Sequence, residues 1–168
     1  MSVPDLRFKR GAVDRFNGLS AVRVAQAVFD TAGTDSSGVA NTTIAAHGLG
    51  VFLPSKAVIV DAWIDVVTTF ADGASDNATM ALSCQSANDL TSAIAISDAS
   101  NVWDAGLHGT KVGNWALDGN SLSQVAMAAA RAATFLKLTA ERELTMTVAV
   151  HALTAGKGVV YVAYVLGD

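Results

Sequence analysis

Paired carboxylates are the first residues to consider for acid–base chemistry. Asp61 and Asp65 share one face of a predicted strand. At about 3.3 Å per residue they lie about 13 Å apart, farther than the roughly 5 to 9.5 Å between the carboxyl groups of glycosidases. Glu141 and Glu143 flank Arg142, which is typical of a surface or subunit-contact ion pair. The sequence therefore predicts no catalytic pair, and we expect no enzymatic activity.

Metal and cofactor sites are not predicted either. The chain has three histidines, His47, His108 and His151. Their spacing matches neither HxH nor HExxH, the patterns typical of metal sites. A single cysteine, Cys84, has no second thiol for a disulfide or a metal cluster, so we interpret it as a buried small side chain in a reducing compartment. The segment His47–Gly50 contains GxG but lacks the third glycine and the lysine of nucleotide-binding loops, and predicts a tight turn ahead of Pro54.

The elements that must position these residues are strands. The clearest is 57–70, where apolar and polar residues alternate, and we expect one face to be core. That face carries Val58, Val60, Ala62, Ile64 and Val66. Further strands are predicted over Ala21–Phe29, Val39–Ala45, Ala78–Cys84, Thr134–Thr139, Leu144–Val150 and Val159–Leu166.

The last two strands predict a hairpin across the turn Ala155–Gly158. Its first strand points Leu144, Met146, Val148 and Val150 inward. Alanine-rich stretches at Asn88–Ile96 and Ser121–Ala133 predict a short helix or a loop. Many short strands without strand–helix alternation favour an all-β fold, a jelly-roll-like antiparallel β-sandwich.

Composition indicates a shared apolar surface. Hydrophobic residues make up 51% of the 168 residues and charged residues only 15%, against about 25% charged in ordinary domains. With 31 alanines, this balance suggests that part of the surface is covered in an oligomer. No apolar run reaches the 18 or more residues of a membrane span, and no secretory signal is visible.

Charge is divided unevenly along the chain. In residues 1–23, five basic residues against two acidic ones give +3, which leaves -7 for the remainder. Residues 1–18 show no strand or helix period and predict an extended basic arm, followed by a β-sandwich domain over 19–168. An acidic body argues against nucleic-acid binding. We expect the arm to contact a protein partner through Arg7, Phe8, Lys9, Arg10, Arg15 and Phe16.

Several sequence segments resemble those of capsid decoration (cement, head-stabilisation) proteins of tailed bacteriophages. They are His47–Pro54, Ala57–Thr69, Val102–Gly106 and the run from Leu138 to Lys157. The similar region spans about residues 40 to 168 and leaves the arm uncovered.

The resemblance implies a jelly-roll domain, usually a trimer, that binds the major capsid protein on the outside of the head after synthesis in the bacterial host cytoplasm. Two alternatives remain open. One is another virion component, such as a head fibre, connector or tail protein. The other is a carbohydrate-binding β-sandwich, for which the region from Trp103 to Trp115 would supply exposed aromatic rings.

Overall fold

The computed structural model describes residues 22–73, 75–110, 112 and 135–167. Nine strands form there: β1 (Arg23–Asp30), β2 (Ala46–Leu53), β3 (Ala57–Asp72), β4 (Thr79–Ser83), β5 (Ile94–Ala95), β6 (Gly106–Gly109), β7 (Leu136–Lys137), β8 (Arg142–Ala149) and β9 (Leu153–Leu166). The predicted arm, residues 1–18, and the predicted start of the domain at residue 19 lie outside the described residues. Within the described ranges, no helix could span a membrane.

The strands form two antiparallel sheets. The first has the order β1-β9-β3-β6, with β7 also pairing with β3, and the second has the order β2-β8-β4-β5. If β7 is left out, the strands pair from the two ends of the chain inward: β1 with β9, β2 with β8, β3 with β6, and β4 with β5. A two-stranded ribbon folded over itself produces this order, which is that of a jelly roll. The predicted jelly-roll-like antiparallel β-sandwich is therefore confirmed.

The core lies between the two sheets. Its aromatic part joins Phe29, Phe70 and Trp103, with ring centroids 6.0 Å apart from one ring to the next. Aliphatic side chains from both sheets complete it, including Leu53, Ile64, Met80, Leu144, Met146 and Val162. The alternating burial of β3 and β8 delivers their side chains to the interior, whereas β4 is buried from Met80 to Ser83.

The register of β3 differs from the prediction in its first third. Ala62, Ile64 and Val66 are buried as expected, but Val58 and Val60 are only half-buried. The pairing with β9 shifts between Ile59 and Asp61, which is the signature of a bulge. One extra residue reverses the alternation before it, so Ala57 and Ile59 point to the core instead.

The predicted terminal hairpin is wrong. Strand β8 pairs with β2 and β4 in the second sheet, whereas β9 pairs with β1 and β3 in the first. The two strands are consecutive in sequence but face each other across the core. Val150, expected to point inward, is exposed and has a positive φ of 71° in the connection between them.

Gly156 and Gly158, which were predicted to form a turn at 155–158, lie inside β9. Gly156 has a φ of +136°, and a Cβ there would fall within the Phe70 ring. A Cβ on Gly158 would lie 3.1 Å from Ile64. These glycines permit close packing of β9 against the core rather than reversing the chain.

Three shorter predictions also need correction. The tight turn predicted at His47–Gly50 belongs to β2, and the strand predicted at 39–45 is a loop. The strand predicted at 134–139 is reduced to β7. The stretch 88–96, predicted as a short helix or a loop, is a loop that ends in β5. The second alanine-rich stretch, 121–133, lies outside the described residues. The other predicted strands correspond to β1, β4 and β8 within a few residues of their bounds.

Candidate interaction surface

The residues that could carry chemistry are held in structural roles. Asp61 and Asp65 both lie on the outward side of β3, alternating with buried Ala62 and Ile64. The Glu143 carboxylate accepts a hydrogen bond from the Gly50 backbone N–H at 2.8 Å. In the described ranges, no group of three or more acidic, histidine or cysteine side chains could hold a metal ion.

His47 is fully buried rather than part of a reactive cluster. Its Nδ1 lies 3.2 Å from Asp35 Oδ2, and its Nε2 lies 2.9 Å from the Thr43 carbonyl oxygen. Both partners are hydrogen-bond acceptors, and the ring also packs against Phe29 with centroids 5.8 Å apart. The side chain therefore fixes the loop 34–43 to the start of β2. His108 is held separately, with Nε2 at 2.8 Å from the Asp104 carbonyl oxygen.

Asp35 organises the same loop through its other oxygen. Its Oδ1 accepts hydrogen bonds from the Ser37 hydroxyl and backbone N–H and from the Val39 N–H, at 2.8 to 2.9 Å. These bonds lower the pKa of Asp35 to about 2, and the bond from the Ser37 hydroxyl has the largest effect. The sequence Thr34-Asp35-Ser36-Ser37-Gly38 is rich in turn-forming residues and predicts a turn between strands, and these hydrogen bonds confirm it.

Cys84 is half-buried beside the core. Burial raises the pKa of its thiol to about 12, and the nearby Asp89 carboxylate adds to the effect. Nucleophilic and metal-binding cysteines need the thiolate. The expected role as a small packed side chain fits this environment better than a reactive role does.

Trp103 is a core side chain. It is 1% exposed, packs edge-on against Phe70, and donates from Nε1 to the Ile94 carbonyl oxygen at 3.2 Å. It therefore contributes no exposed ring to a sugar-binding platform. The second aromatic residue of that alternative, Trp115, lies outside the described residues.

The strongest surface feature is the outward face of the first sheet, which we call the outer sheet face. At its centre Trp63 stacks on Tyr161 across β3 and β9, with centroids 5.4 Å and planes 11° apart. Exposed aliphatic side chains surround this pair: Val24 and Val28 on β1, Val67 on β3 and Leu107 on β6. Apolar clusters of this kind are typical of protein interfaces.

The outer sheet face carries charges of both signs, because exposed Lys137 on β7 pairs with the outward-facing Val58 of β3. Asp61 lies in the same cross-strand row as Val24, and Asp65 in the row of Val28 and Leu107. An ion pair between Lys157 Nζ and Asp30 Oδ2, 2.9 Å apart, lies at one end of β1 and β9. An apolar face with charges of both signs suits a protein partner whose apolar and charged side chains are complementary.

The predicted arm precedes the described part of the chain in sequence. Its six candidate contact residues, Arg7, Phe8, Lys9, Arg10, Arg15 and Phe16, lie outside the described residues, so their positions stay predictions. The described chain begins at exposed Val22 and continues directly into β1, which is the edge strand of the first sheet. Sequence reasoning predicted the arm, which stays a prediction, and missed the outer sheet face, because that face is assembled from four strands far apart in the chain.

Comparison with known proteins gives fold similarity. No protein-family model matches the chain, and no curated protein sequence matches it. A chain in the acidic stable capsid structure of Helicobacter pylori bacteriophage KHP30 is 16% identical with a TM-score of 0.55, covering 89% of this chain and 91% of that chain. A chain in the cyanophage Pam1 capsid asymmetric unit is 18% identical with a TM-score of 0.56, covering 99% and 93%.

A third similar chain comes from the capsid of Ralstonia phage GP4. It is 17% identical with a TM-score of 0.51, and the alignment covers 100% of this chain and 91% of that one. At such identities the likeness concerns the fold. The jelly roll described above is therefore a fold found in chains of three phage capsids.

Proposed function

We propose that this chain is a structural virion protein of a tailed bacteriophage. The observation that supports the proposal most is the reciprocal coverage of the three capsid chains, each of which is matched over at least 91% of its own length. The similarity thus involves whole chains of comparable size, rather than one domain of a larger protein. The role we propose is not enzymatic and uses no cofactor, and the loop contacts of His47 and Asp35 are consistent with it.

Within the virion, we place the chain on the outer surface of the head, bound to the lattice of the major capsid protein. A small separate protein that binds only the assembled lattice stabilises it by mass action. The exposed apolar side chains of the outer sheet face suit a protein that docks on a partner. Synthesis in the cytoplasm of the bacterial host precedes this assembly.

Self-association, as a homotrimer, is the second part of the proposal. The low proportion of charged residues and the exposed apolar side chains of the outer sheet face support it. Light scattering on the purified chain at micromolar concentration measures the mass directly. A mass of three chains is expected, and a value near the monomer's 17.2 kDa would contradict this part.

The basic arm is the docking element of the proposal. Arg7, Lys9, Arg10 and Arg15 would meet acidic patches on the major capsid protein or a neighbouring subunit, while Phe8 and Phe16 fill apolar hollows and the arm orders on contact. Such contacts weaken as salt rises, since exposed charges are screened beyond about 10 Å at 0.1 M.

The test is co-sedimentation with heads of the parent phage that lack this protein. Full-length chain and a variant that begins at Leu19 are compared over a salt series, and circular dichroism verifies that both fold alike. Lower occupancy of the shortened chain, with a smaller salt dependence, supports the arm as the docking element. Equal occupancy at every salt concentration would assign docking to the sandwich, and no sedimentation of either chain would contradict the head location.

Other virion positions are distinguished by the same material. Negative-stain micrographs of heads with and without the chain show whether density is added over the head surface or at a fibre, connector or tail. A glycan array tests the carbohydrate-binding alternative. Trp103 does not support that alternative, because its ring is buried.

A further inference from the structure

Strand β1 is a long and regular edge of the first sheet. In the described part of the chain it pairs with β9 alone, in one register without a bulge from Arg23 to Asp30. The other described edges are short or interrupted. Strands β5, β6 and β7 have two to four residues, and β2 has a register shift between Gly48 and Phe52. Short or bulged edges hinder pairing with another chain, whereas a long regular edge favours it.

Every second residue of β1 directs its backbone N–H and C=O away from β9. The Thr31 N–H donates to the Gly156 carbonyl oxygen at 3.0 Å, in the register that β1 keeps with β9. In an antiparallel ladder, residues that bond to the partner alternate with residues that face away from it. The Asp30 carbonyl oxygen agrees with this alternation, because it accepts from the Gly33 N–H outside the sheet. The other residues of β1 whose backbone groups face the free edge are therefore Val24, Gln26 and Val28, all of them exposed.

The sequence of this free edge is palindromic. Residues 24–28 are Val-Ala-Gln-Ala-Val, with Gln26 at the centre. If a second copy pairs antiparallel around a two-fold axis at Gln26, Val24 of each copy lies opposite Val28 of the other. Cross-strand pairs of β-branched residues stabilise sheets. On the axis Gln26 faces its own copy, and its amide can both donate and accept a hydrogen bond there, whereas a charged residue would repel itself.

The two ends of the edge carry charges that match in the same arrangement. Arg23 is exposed at the start of β1, and Asp30, which forms an ion pair with Lys157, lies at its end. Antiparallel pairing around Gln26 places Arg23 of one copy beside Phe29 of the other, next to Asp30. Opposite charges thus become neighbours at both ends and like charges are kept apart, which favours this orientation.

We propose that β1 binds β1 of a second copy of this chain, edge to edge and antiparallel, around a two-fold axis at Gln26. Such a contact uses the same patch on both copies and closes with two of them. It goes beyond the proposed function, because it needs neither the head nor the homotrimer, and a chain that makes both contacts links trimers to one another. A contact along one strand edge is smaller than the roughly 1,200 Å² or more that stable complexes bury. We therefore expect it to be weak in dilute solution and to form where copies are concentrated.

Disulfide formation between copies of the full-length chain tests the register. Hydrogen-bonded antiparallel partners have Cα atoms about 5.5 Å apart, within the disulfide range of about 4.4 to 6.8 Å, so Gln26→Cys should give a linked dimer under mild oxidation. The matched control is Val24→Cys, because the two introduced thiols would lie four residues, or about 13 Å, apart along the strands. Thiols held together react at effective concentrations near millimolar, so at micromolar protein we expect Gln26→Cys to react about tenfold faster or more. The unmodified chain measures the background from Cys84. Equal rates for the two variants, or no linked dimer of Gln26→Cys, would overturn the proposal.

Charge at residue 26 tests the two-fold axis itself. Gln26→Lys and Gln26→Glu each place like charges opposite one another, which should weaken the pairing up to about fivefold, whereas an equal mixture of the two variants places opposite charges on the axis. Sedimentation velocity at low salt, up to millimolar concentration, measures the association, and circular dichroism verifies the fold. We expect each charged variant alone to associate less than the unmodified chain, the mixture to recover association, and the uncharged Gln26→Thr control to retain it. A mixture that associates no better than its components would overturn the proposal. Neither experiment uses heads, so its failure is separate from a failure of the proposed function.

Discussion

The ring of Phe70 on β3 occupies the space that a side chain at Gly156 on β9 would need. Phe70 is 2% exposed and contacts both Phe29 and Trp103, so it is the centre of the aromatic core. Gly156 also has a φ of +136°, a conformation that residues with a Cβ rarely adopt. One position in β9 thus combines a steric requirement with a backbone requirement, and both are met by glycine alone.

Gly156→Ala is expected to be among the most destabilising single substitutions in the sandwich. Backbone strain of about 1 to 3 kcal/mol adds to overpacking of about 1 to 3 kcal/mol. The matched control is Gly38→Ala, which has a φ of +86° but nothing within 4 Å of its Cβ, so it should lose only the strain term. Urea unfolding measures both. Equal losses would show that Phe70 moves aside at no cost.

The bulge in β3 makes a prediction about neighbouring residues. Ile59 is fully buried and Val60 half-buried, so Ile59→Ala should cost about 2 to 5 kcal/mol and Val60→Ala clearly less. Farther along, Ile64→Ala should cost a similar 2 to 5 kcal/mol, while Asp65→Ala should cost under about 0.5 kcal/mol. Denaturant melts provide the values. A larger cost at Val60 than at Ile59 would place the bulge elsewhere.

Acid should weaken the loop held by Asp35. The hydrogen bond from the Ser37 hydroxyl and those from backbone N–H groups lower the pKa of Asp35 from 3.8 to about 2. A depressed carboxyl pKa stabilises the folded state above about pH 4, and that contribution is lost as the pH falls towards 2. The free energy of unfolding should therefore differ most between the unmodified chain and Asp35→Asn at pH 5 to 7, and the difference should shrink between pH 4 and 2. A difference that is constant with pH would contradict this role.

Cys84 should resist alkylation while the chain is folded. Burial raises the pKa of its thiol to about 12, so the reactive thiolate is scarce at pH 8. We expect iodoacetamide to label the native protein far more slowly than the urea-unfolded protein, with mass spectrometry as the readout. Comparable rates in the two states would mean that the 83–89 turn opens readily around the thiol.

The local pattern of the sequence determined the class of fold and the position of several strands. Alternation in β3 and β8 follows from the pleat, because successive side chains point to opposite faces. The burial of Ala62, Ile64 and Val66, and of Leu144, Met146 and Val148, could therefore be predicted. The charge division between residues 1–23 and the remainder is likewise a property of the sequence, and it indicated the arm as a candidate contact.

Tertiary structure decided which strands pair and what the glycines do. Nothing local distinguishes a β8–β9 hairpin from two strands in opposite sheets, because the choice depends on partners such as β1 and β4, which are far away in the chain. A glycine that reverses the chain and one that admits a neighbouring ring look alike in sequence, as Gly156 shows. The outer sheet face has the same origin, since it is assembled from strands that only folding brings together, and no spacing along the chain records that proximity.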